Sequence, residues 1–135
     1  MHEELDKKLV KDFPLLFTDR HGDMKETCMC WGFDCGNGWY KLIREASEKL
    51  EPLIAQYKKE HPGDYHPRAV QVKEKFGTLR FYMSSETDEM GMILTEVEDK
   101  SDTICEECGS VGELRTGGWL KTLCANCYGT GGRNV

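Results

Sequence analysis

The chain has 135 residues, a formal net charge of −6, and a composition that is 39% hydrophobic and 31% charged. This length suits one domain with one core, and the composition is too apolar for a disordered chain. The negative balance argues against nonspecific coating of nucleic acid, and no apolar run is long enough to cross a bilayer. Residues 1–10, MHEELDKKLV, are charged where a secretory signal would be apolar, so we expect neither secretion nor a membrane partner.

The first half of the chain predicts two helices separated by a cysteine-rich loop. The first is short and should end at Phe13, because a residue that precedes proline is disfavoured in helical geometry. The second begins near Gly38 with Asn37 as its N-cap, and its apolar residues keep helical spacing as far as Tyr57. Because Pro52 lies inside this spacing, we expect a kink or two abutting helices there.

The second half predicts a β-hairpin, an acidic helix and a cysteine-paired module. The alternating stretch AVQVKEKFGTLRFYM forms the hairpin, with its turn at Phe76-Gly77. The helix runs from about Glu86 to Thr103 and has a negative outer face. The predicted class is therefore α+β, a small antiparallel sheet packed with two to three helices. We expect a core over residues 1–104, a zinc ribbon over 105–128 joined to that core, and a flexible tail over 129–135.

Four cysteines near the C-terminus have the spacing of a zinc site, C-x2-C-x15-C-x2-C. Two residues between cysteines allow both sulfurs of a tight turn to reach one ion at about 2.3 Å, and two such turns complete a tetrahedron. The residues between the two pairs predict a short hairpin, which is the layout of a zinc ribbon or treble clef. Four thiolates leave no open ligand position, so the predicted zinc is structural. Its ligands are Cys105, Cys108, Cys124 and Cys127.

A second cysteine group, formed by Cys28, Cys30 and Cys35, is one ligand short of a four-ligand metal site. His21 is the nearest candidate for the fourth ligand. We favour buried cysteines packed in a loop, because free cysteine is among the most buried residue types. A second metal site and a reactive thiol stay open as alternatives. Cys35, which lies just ahead of the second predicted helix, is the candidate for that thiol.

The segment from Arg68 to Tyr82 is the part of the chain with a clear excess of basic residues. Positive side chains among aromatic rings can hold an anionic ligand that stacks, such as a nucleotide or a single-stranded end. A solvated strand face paired with acidic helices is the simpler alternative. The candidate ligand-binding residues are Lys73, Lys75, Arg80, Tyr82, Arg115, Trp119 and Trp39.

The sequence has no recognisable catalytic pattern. Its four histidines lie in predicted loops or at the terminus, outside the usual nucleophile and metal-protease arrangements. The glycine patterns of phosphate loops and dinucleotide sites are also missing. The sequence therefore favours a non-enzymatic binding protein. One alternative is a nucleic-acid-binding regulator that uses the ribbon and the hairpin, and a second is a metal-dependent nuclease or nucleotide hydrolase.

Three blocks, CMCWGFDCGNGWYKLI, VKEKFGTLRFY and LRTGGWLKTLCANC, resemble small zinc-ribbon-containing proteins of tailed bacteriophages and prophages. The likeness runs from about Thr27 to Tyr128. It implies a phage-encoded protein that acts in the cytoplasm of a bacterial host. Together with the closed zinc coordination and the missing catalytic pattern, it favours an accessory protein that binds a host component and so antagonises antiviral defence. The expected partner is a host protein or an anionic small molecule such as a signalling nucleotide. The resemblance supplies no catalytic residues.

Overall fold

The computed structural model describes residues 1–129, and the predicted α+β class is confirmed. Residues 1–129 form the α-helices α1 (Glu3–Asp12), α2 (Tyr40–Glu60), α3 (Asp88–Ser101) and α4 (Ala125–Gly129). Five strands are β1 (Phe33–Asp34), β2 (Ala69–Lys75), β3 (Thr78–Met83), β4 (Glu113–Arg115) and β5 (Lys121–Leu123). Each helix of this described part is too short or too polar to cross a bilayer. The tail predicted over 129–135 lies, apart from Gly129, outside the described residues.

The main sheet has the strand order β1-β2-β3 and is mixed. β2 and β3 form the predicted antiparallel hairpin around the turn at Phe76-Gly77. β1 pairs in parallel with β2, with Phe33 opposite Val72, so the predicted antiparallel pairing holds for β2 and β3 but not for β1. The physical reason is that β1 has only two residues, which is too short for any alternation to mark it as a strand.

The core lies between one face of this sheet and helices α2 and α3. Val72 and Phe81 are paired across the hairpin and point into the core, as alternation along the strands predicts. Met90 and Leu94 of α3 are buried at helical spacing, and so are the apolar residues of α2. Each such side chain contributes about 1.5–3 kcal/mol when fully buried. The opposite sheet face therefore carries the polar residues of the hairpin.

Side chains of α3 accept hydrogen bonds from the backbone N–H groups at the outer edge of β3. The backbone N–H of Leu79 donates to Ser101 Oγ at 2.9 Å, and that of Phe81 donates to Glu98 Oε2 at 3.1 Å. An edge strand otherwise presents unpaired backbone groups that invite pairing with another chain. The helix thus covers the edge with specific hydrogen bonds as well as with apolar contacts.

Helix α2 continues through Pro52 as one helix, so the predicted alternative of two abutting helices is wrong. An interior proline costs about 3 kcal/mol. Leu50 and Ile54 flank Pro52 and are fully buried, and the burial of each side chain stabilises the fold by about 1.5–3 kcal/mol. Glu51 adds a tertiary tie, because its carboxylate accepts two backbone N–H groups of the loop after α1, at 2.9 and 2.8 Å.

The predicted N-cap at Asn37 is wrong. α2 begins at Tyr40 after one turn of 3-10 helix, and no side chain within residues 1–129 caps it. Asn37 Oδ1 instead accepts the backbone N–H of His2 at 2.6 Å. The Asn37 side-chain oxygen, which a cap would need as its acceptor, is therefore used in a contact with the N-terminus of the chain.

Candidate metal centre and adjacent groove

The structure brings the four C-terminal cysteines together as free thiols. The Sγ atoms of Cys105, Cys108, Cys124 and Cys127 all lie within 4.8 Å of one another. Those of Cys108 and Cys124 are 3.6 Å apart. Four sulfurs bonded to one ion at about 2.3 Å in a tetrahedron lie roughly 3.8 Å apart. The set therefore fits a metal ion.

Local backbone geometry positions these sulfurs. Gly109 has a φ of 85°, which favours glycine, and its N–H donates to the carbonyl oxygen of Cys105 at 2.9 Å to close the first turn. In the second pair, the N–H of Cys127 donates to Cys124 Sγ at 3.4 Å. The β4–β5 hairpin joins the two pairs, and in the second pair Cys127 lies on α4 while Cys124 directly precedes it. We call residues 105–128 the cysteine module.

Hydrogen bonding within the cluster shifts the pKa values of its thiols. Hydrogen bonds from Ser110 lower the pKa of Cys108 to about 6. The pKa of Cys127 is raised above the ordinary thiol value, chiefly by its hydrogen bond with Cys124. Four sulfurs this close cannot all carry negative charge without a cation. Coordination to a metal ion deprotonates such thiols and removes this conflict.

A glycine loop of the core holds the first cysteine pair in place. The backbone N–H groups of Gly36 and Gly38 donate to Glu106, to Oε2 at 2.8 Å and to the carbonyl oxygen at 2.7 Å. A Cβ atom on Gly38 would collide with the carbonyl oxygens of Cys105 and Glu106. Both glycines are therefore required by the close approach of two backbones.

Glu106 is a residue that the sequence reasoning missed. It lies between two metal-site cysteines and is almost fully buried, and burial raises the pKa of its carboxyl group. Its Oε1 atom has no hydrogen-bond partner among the described residues. The glycines on either side of Asn37 were the available signal, because paired glycines often mark a close approach of backbones.

The second cysteine group does not assemble into a metal site. Among residues 1–129, the C-terminal set is the one place where three or more potential ligand groups cluster. Cys28 and His21 are exposed, and Cys30 is half-buried, with its thiol donating to the carbonyl oxygen of Thr27 at 3.4 Å. The favoured prediction of buried cysteines is right only for Cys35.

The alternative of a reactive thiol at Cys35 is also excluded. Burial raises the pKa of Cys35 to about 12, and the negative charge of Glu106 adds to the effect. The ammonium group of Met1 acts in the opposite direction, but burial outweighs it. Cys35 is a structural thiol of the core.

A groove lies between the β2–β3 turn and the cysteine module. It has a volume of about 370 Å³ and is lined by Lys73, Lys75 and Phe76 on one side and by Trp119 on the other. Thr122 Oγ1 of the module donates to the carbonyl oxygen of the turn at a distance of 2.6 Å, which ties the two hairpins together. We call this feature the hairpin groove. It unites three of the predicted ligand-binding residues.

Two other predicted ligand-binding residues are engaged inside the protein. Trp39 is fully buried and its Nε1–H donates to the carbonyl oxygen of Ile104 at 2.9 Å, so the prediction that it contacts a ligand is wrong. The guanidinium of Arg115 forms an ion pair with Glu113 at 2.8 Å. It also lies 4.6 Å from the centre of the Tyr128 ring. Both residues stabilise the cysteine module or its junction with the core.

The remaining two, Arg80 and Tyr82, lie on the polar sheet face beside the groove. Arg80 is directly opposite Lys73 in the β2–β3 register, which places both side chains on the same face. Neither Arg80 nor Tyr82 lines the groove itself. They extend the basic and aromatic surface along the sheet.

Three of the four histidines make structural contacts. His2 Nδ1 caps α1 by accepting a backbone N–H at 3.1 Å, and His61 stacks on a tyrosine of α2 at 4.2 Å between ring centres. His66 is buried, with Nε2 at 3.0 Å from a loop carbonyl oxygen. His21 is exposed in a 3-10 turn.

Comparisons with known proteins return no relative. No protein-family model matches the chain, and no curated protein or solved structure matches it. The function therefore has to be argued from the site, as a fold alone would not decide it in any case.

Proposed function

We propose that this protein is a non-enzymatic binding module whose fold is stabilised by one zinc ion. The four-cysteine set carries the proposal, because four protein thiolates suit zinc and close its coordination sphere. Cys105, Cys108, Cys124 and Cys127 would hold the ion. Bound zinc supplies folding free energy here, and recognition is left to the surfaces around the module.

We further propose that the protein binds a host component and so antagonises bacterial antiviral defence. The likeness of three sequence blocks to phage proteins supports this role. One route is blockade of a host protein through the groove between α2 and α3, which has a volume of about 1270 Å³. Its lining combines apolar Leu53 and Met92 with acidic Glu89 and Glu96, so it suits a basic, partly apolar surface. The other route is sequestration of a signalling nucleotide.

Metal analysis of the purified chain tests the zinc proposal. We expect one zinc per chain, and substitution with cobalt(II) should produce the absorption of a tetrahedral thiolate site. The matched control is Cys28→Ser, which removes a cysteine outside the cluster and should keep the metal content unchanged. Absence of bound metal in protein purified without chelator would overturn the proposal.

Plaque formation tests the role in defence. Expression of the chain in bacteria that carry an antiviral defence should restore plaques of a sensitive phage. A plaque count equal to that of the empty vector, across several defence types, would contradict the role while leaving the zinc proposal intact. Co-purification from these cells, with mass spectrometry of proteins and released small molecules, then separates the two routes.

A further inference from the structure

The hairpin groove carries two large aromatic side chains that the fold leaves in solvent. Phe76 is 66% exposed and Trp119 is 76% exposed. They come from different hairpins, one at the β2–β3 turn and one in the loop before β5. Two exposed rings that meet at one groove form a surface on which a planar ligand can stack.

Phe76 has a backbone conformation that does not favour phenylalanine. Its φ is 55° and that of Gly77 is 85°, the pattern of a type I′ turn, in which Asn or Gly is preferred at the first position. A bulky residue with positive φ is strained, and here no burial of the ring offsets the strain. Strain of this kind clusters at functional sites, so the ring at position 76 points to a role in binding.

The lysines of the groove are available to an anion. Among residues 1–129, no carboxylate forms an ion pair with Lys73, Lys75 or Arg80. Lys75 Nζ lies 5.8 Å from the centre of the Phe76 ring, which holds the charge beside the aromatic surface. Glu74 also lines the groove, but its Oε2 accepts the N–H of Gly77 at 3.0 Å.

We propose that the hairpin groove binds one nucleotide unit, with its base against Trp119 and Phe76 and its phosphate at Lys73 and Lys75. This inference rests on the proposed binding function and names its ligand class. The groove volume falls within the range of small-ligand sites. The net charge of −6 disfavours a long nucleic-acid backbone, so the unit is a free nucleotide or the end of a single strand.

Calorimetric titration of the full, metal-loaded chain at low salt tests the groove. The probes are AMP, 5′-phosphorylated (dT)5 and adenosine. Stacking on an aromatic ring tolerates every base, so at least one phosphorylated probe should bind, and adenosine should bind at least about tenfold more weakly than AMP. Tighter binding of AMP identifies a free nucleotide, and tighter binding of the oligonucleotide identifies a strand end.

Two groove variants have matched controls. Trp119→Ala and Lys75→Glu should each weaken binding at least about tenfold. Trp31→Ala removes a tryptophan that is 69% exposed outside the groove, and Lys41→Glu places an acid in the first turn of α2, where the helix dipole favours it. Both controls should bind within about twofold of the unaltered chain. Melting temperature and metal content establish that each variant is folded.

The outcomes separate this inference from the proposed function. Three results would each refute nucleotide binding in the hairpin groove. They are failure of both phosphorylated probes to bind, equal binding of adenosine and AMP, and an equal loss of binding in Trp119→Ala and Trp31→Ala. If the protein still contains its metal, none of these results would contradict the proposal of a zinc-stabilised fold. Hydrolysis of AMP or of the oligonucleotide, detected by chromatography of the titrated samples, would instead overturn the non-enzymatic function.

Discussion

The backbone N–H of Gly38 donates a 2.7 Å hydrogen bond to the carbonyl oxygen of Glu106. This contact joins the loop before α2 to the turn that carries the first two metal-site cysteines. It depends on the absence of a side chain at position 38, because a Cβ atom there would overlap backbone oxygens, which cannot rotate away.

Substitution of Gly38 by alanine should therefore destabilise the protein. We expect Gly38→Ala to lower the free energy of unfolding by about 1–3 kcal/mol, the usual range for overpacking. Urea denaturation at a fixed zinc concentration measures it. The matched control is Gly91→Ala within α3, where the new Cβ would meet only the mobile end of Glu86, at 3.1 Å. Alanine is the better helix former by about 1 kcal/mol, so this variant should be at least as stable as the parent. Equal stability of the two variants would contradict the packing argument.

Loss of a metal-site cysteine should unfold the cysteine module. In Cys124→Ser, we expect loss of the metal and loss of structure in at least the C-terminal third, since metal binding supplies folding free energy. Metal analysis and near-ultraviolet circular dichroism give the readout, and Cys28→Ser serves again as the control. A soluble Cys124→Ser protein with unchanged melting and metal content would refute the structural role.

Ser101 should be important for the edge of the main sheet. Its Oγ accepts the N–H of Leu79 at 2.9 Å in a buried setting, so Ser101→Ala leaves that donor without its partner. The expected loss is about 1–3 kcal/mol in the free energy of unfolding. Thr95→Ala, at an exposed position of the same helix, should change the stability far less. Urea denaturation measures both variants. An equal loss in the free energy of unfolding for the two would refute the role of Ser101 at the edge of the sheet.

Cys35 should resist alkylation in the native protein. Its pKa of about 12 leaves almost no thiolate near neutral pH, whereas Cys28 is exposed. Iodoacetamide followed by mass spectrometry should label Cys28 first, and Cys35 only after denaturation. The native fold holds the Cys35 thiol protonated, so raising the pH above its unfolded value of about 8.5 favours the unfolded chain. Equal labelling rates for the two residues in the native state would show that Cys35 is accessible and ionised.

Local patterns in the sequence were sufficient to predict the fold class, the β2–β3 hairpin with its turn, and the four C-terminal cysteines as one set of metal ligands. Each depends on neighbours within a few residues: alternation along a strand, a helical stripe, or two sulfurs on one tight turn. For the same reason, the N-terminal helix ends at Asp12 with Phe13 as its C-cap, within one residue of the predicted end. These features follow from short-range sterics and ligand spacing, which the order of residues expresses directly.

Contacts between distant segments decided the rest. Only the folded chain shows that Asn37 binds His2 instead of capping α2, that Trp39 is buried against Ile104, and that Cys35 is shielded from solvent. It likewise places Trp119 across a groove from Lys73 and Lys75. Burial and pairing across dozens of residues depend on how the elements pack, and no local pattern records that geometry. The sequence by itself determined the kinds of side chain on offer, and the tertiary structure decided which of them meet.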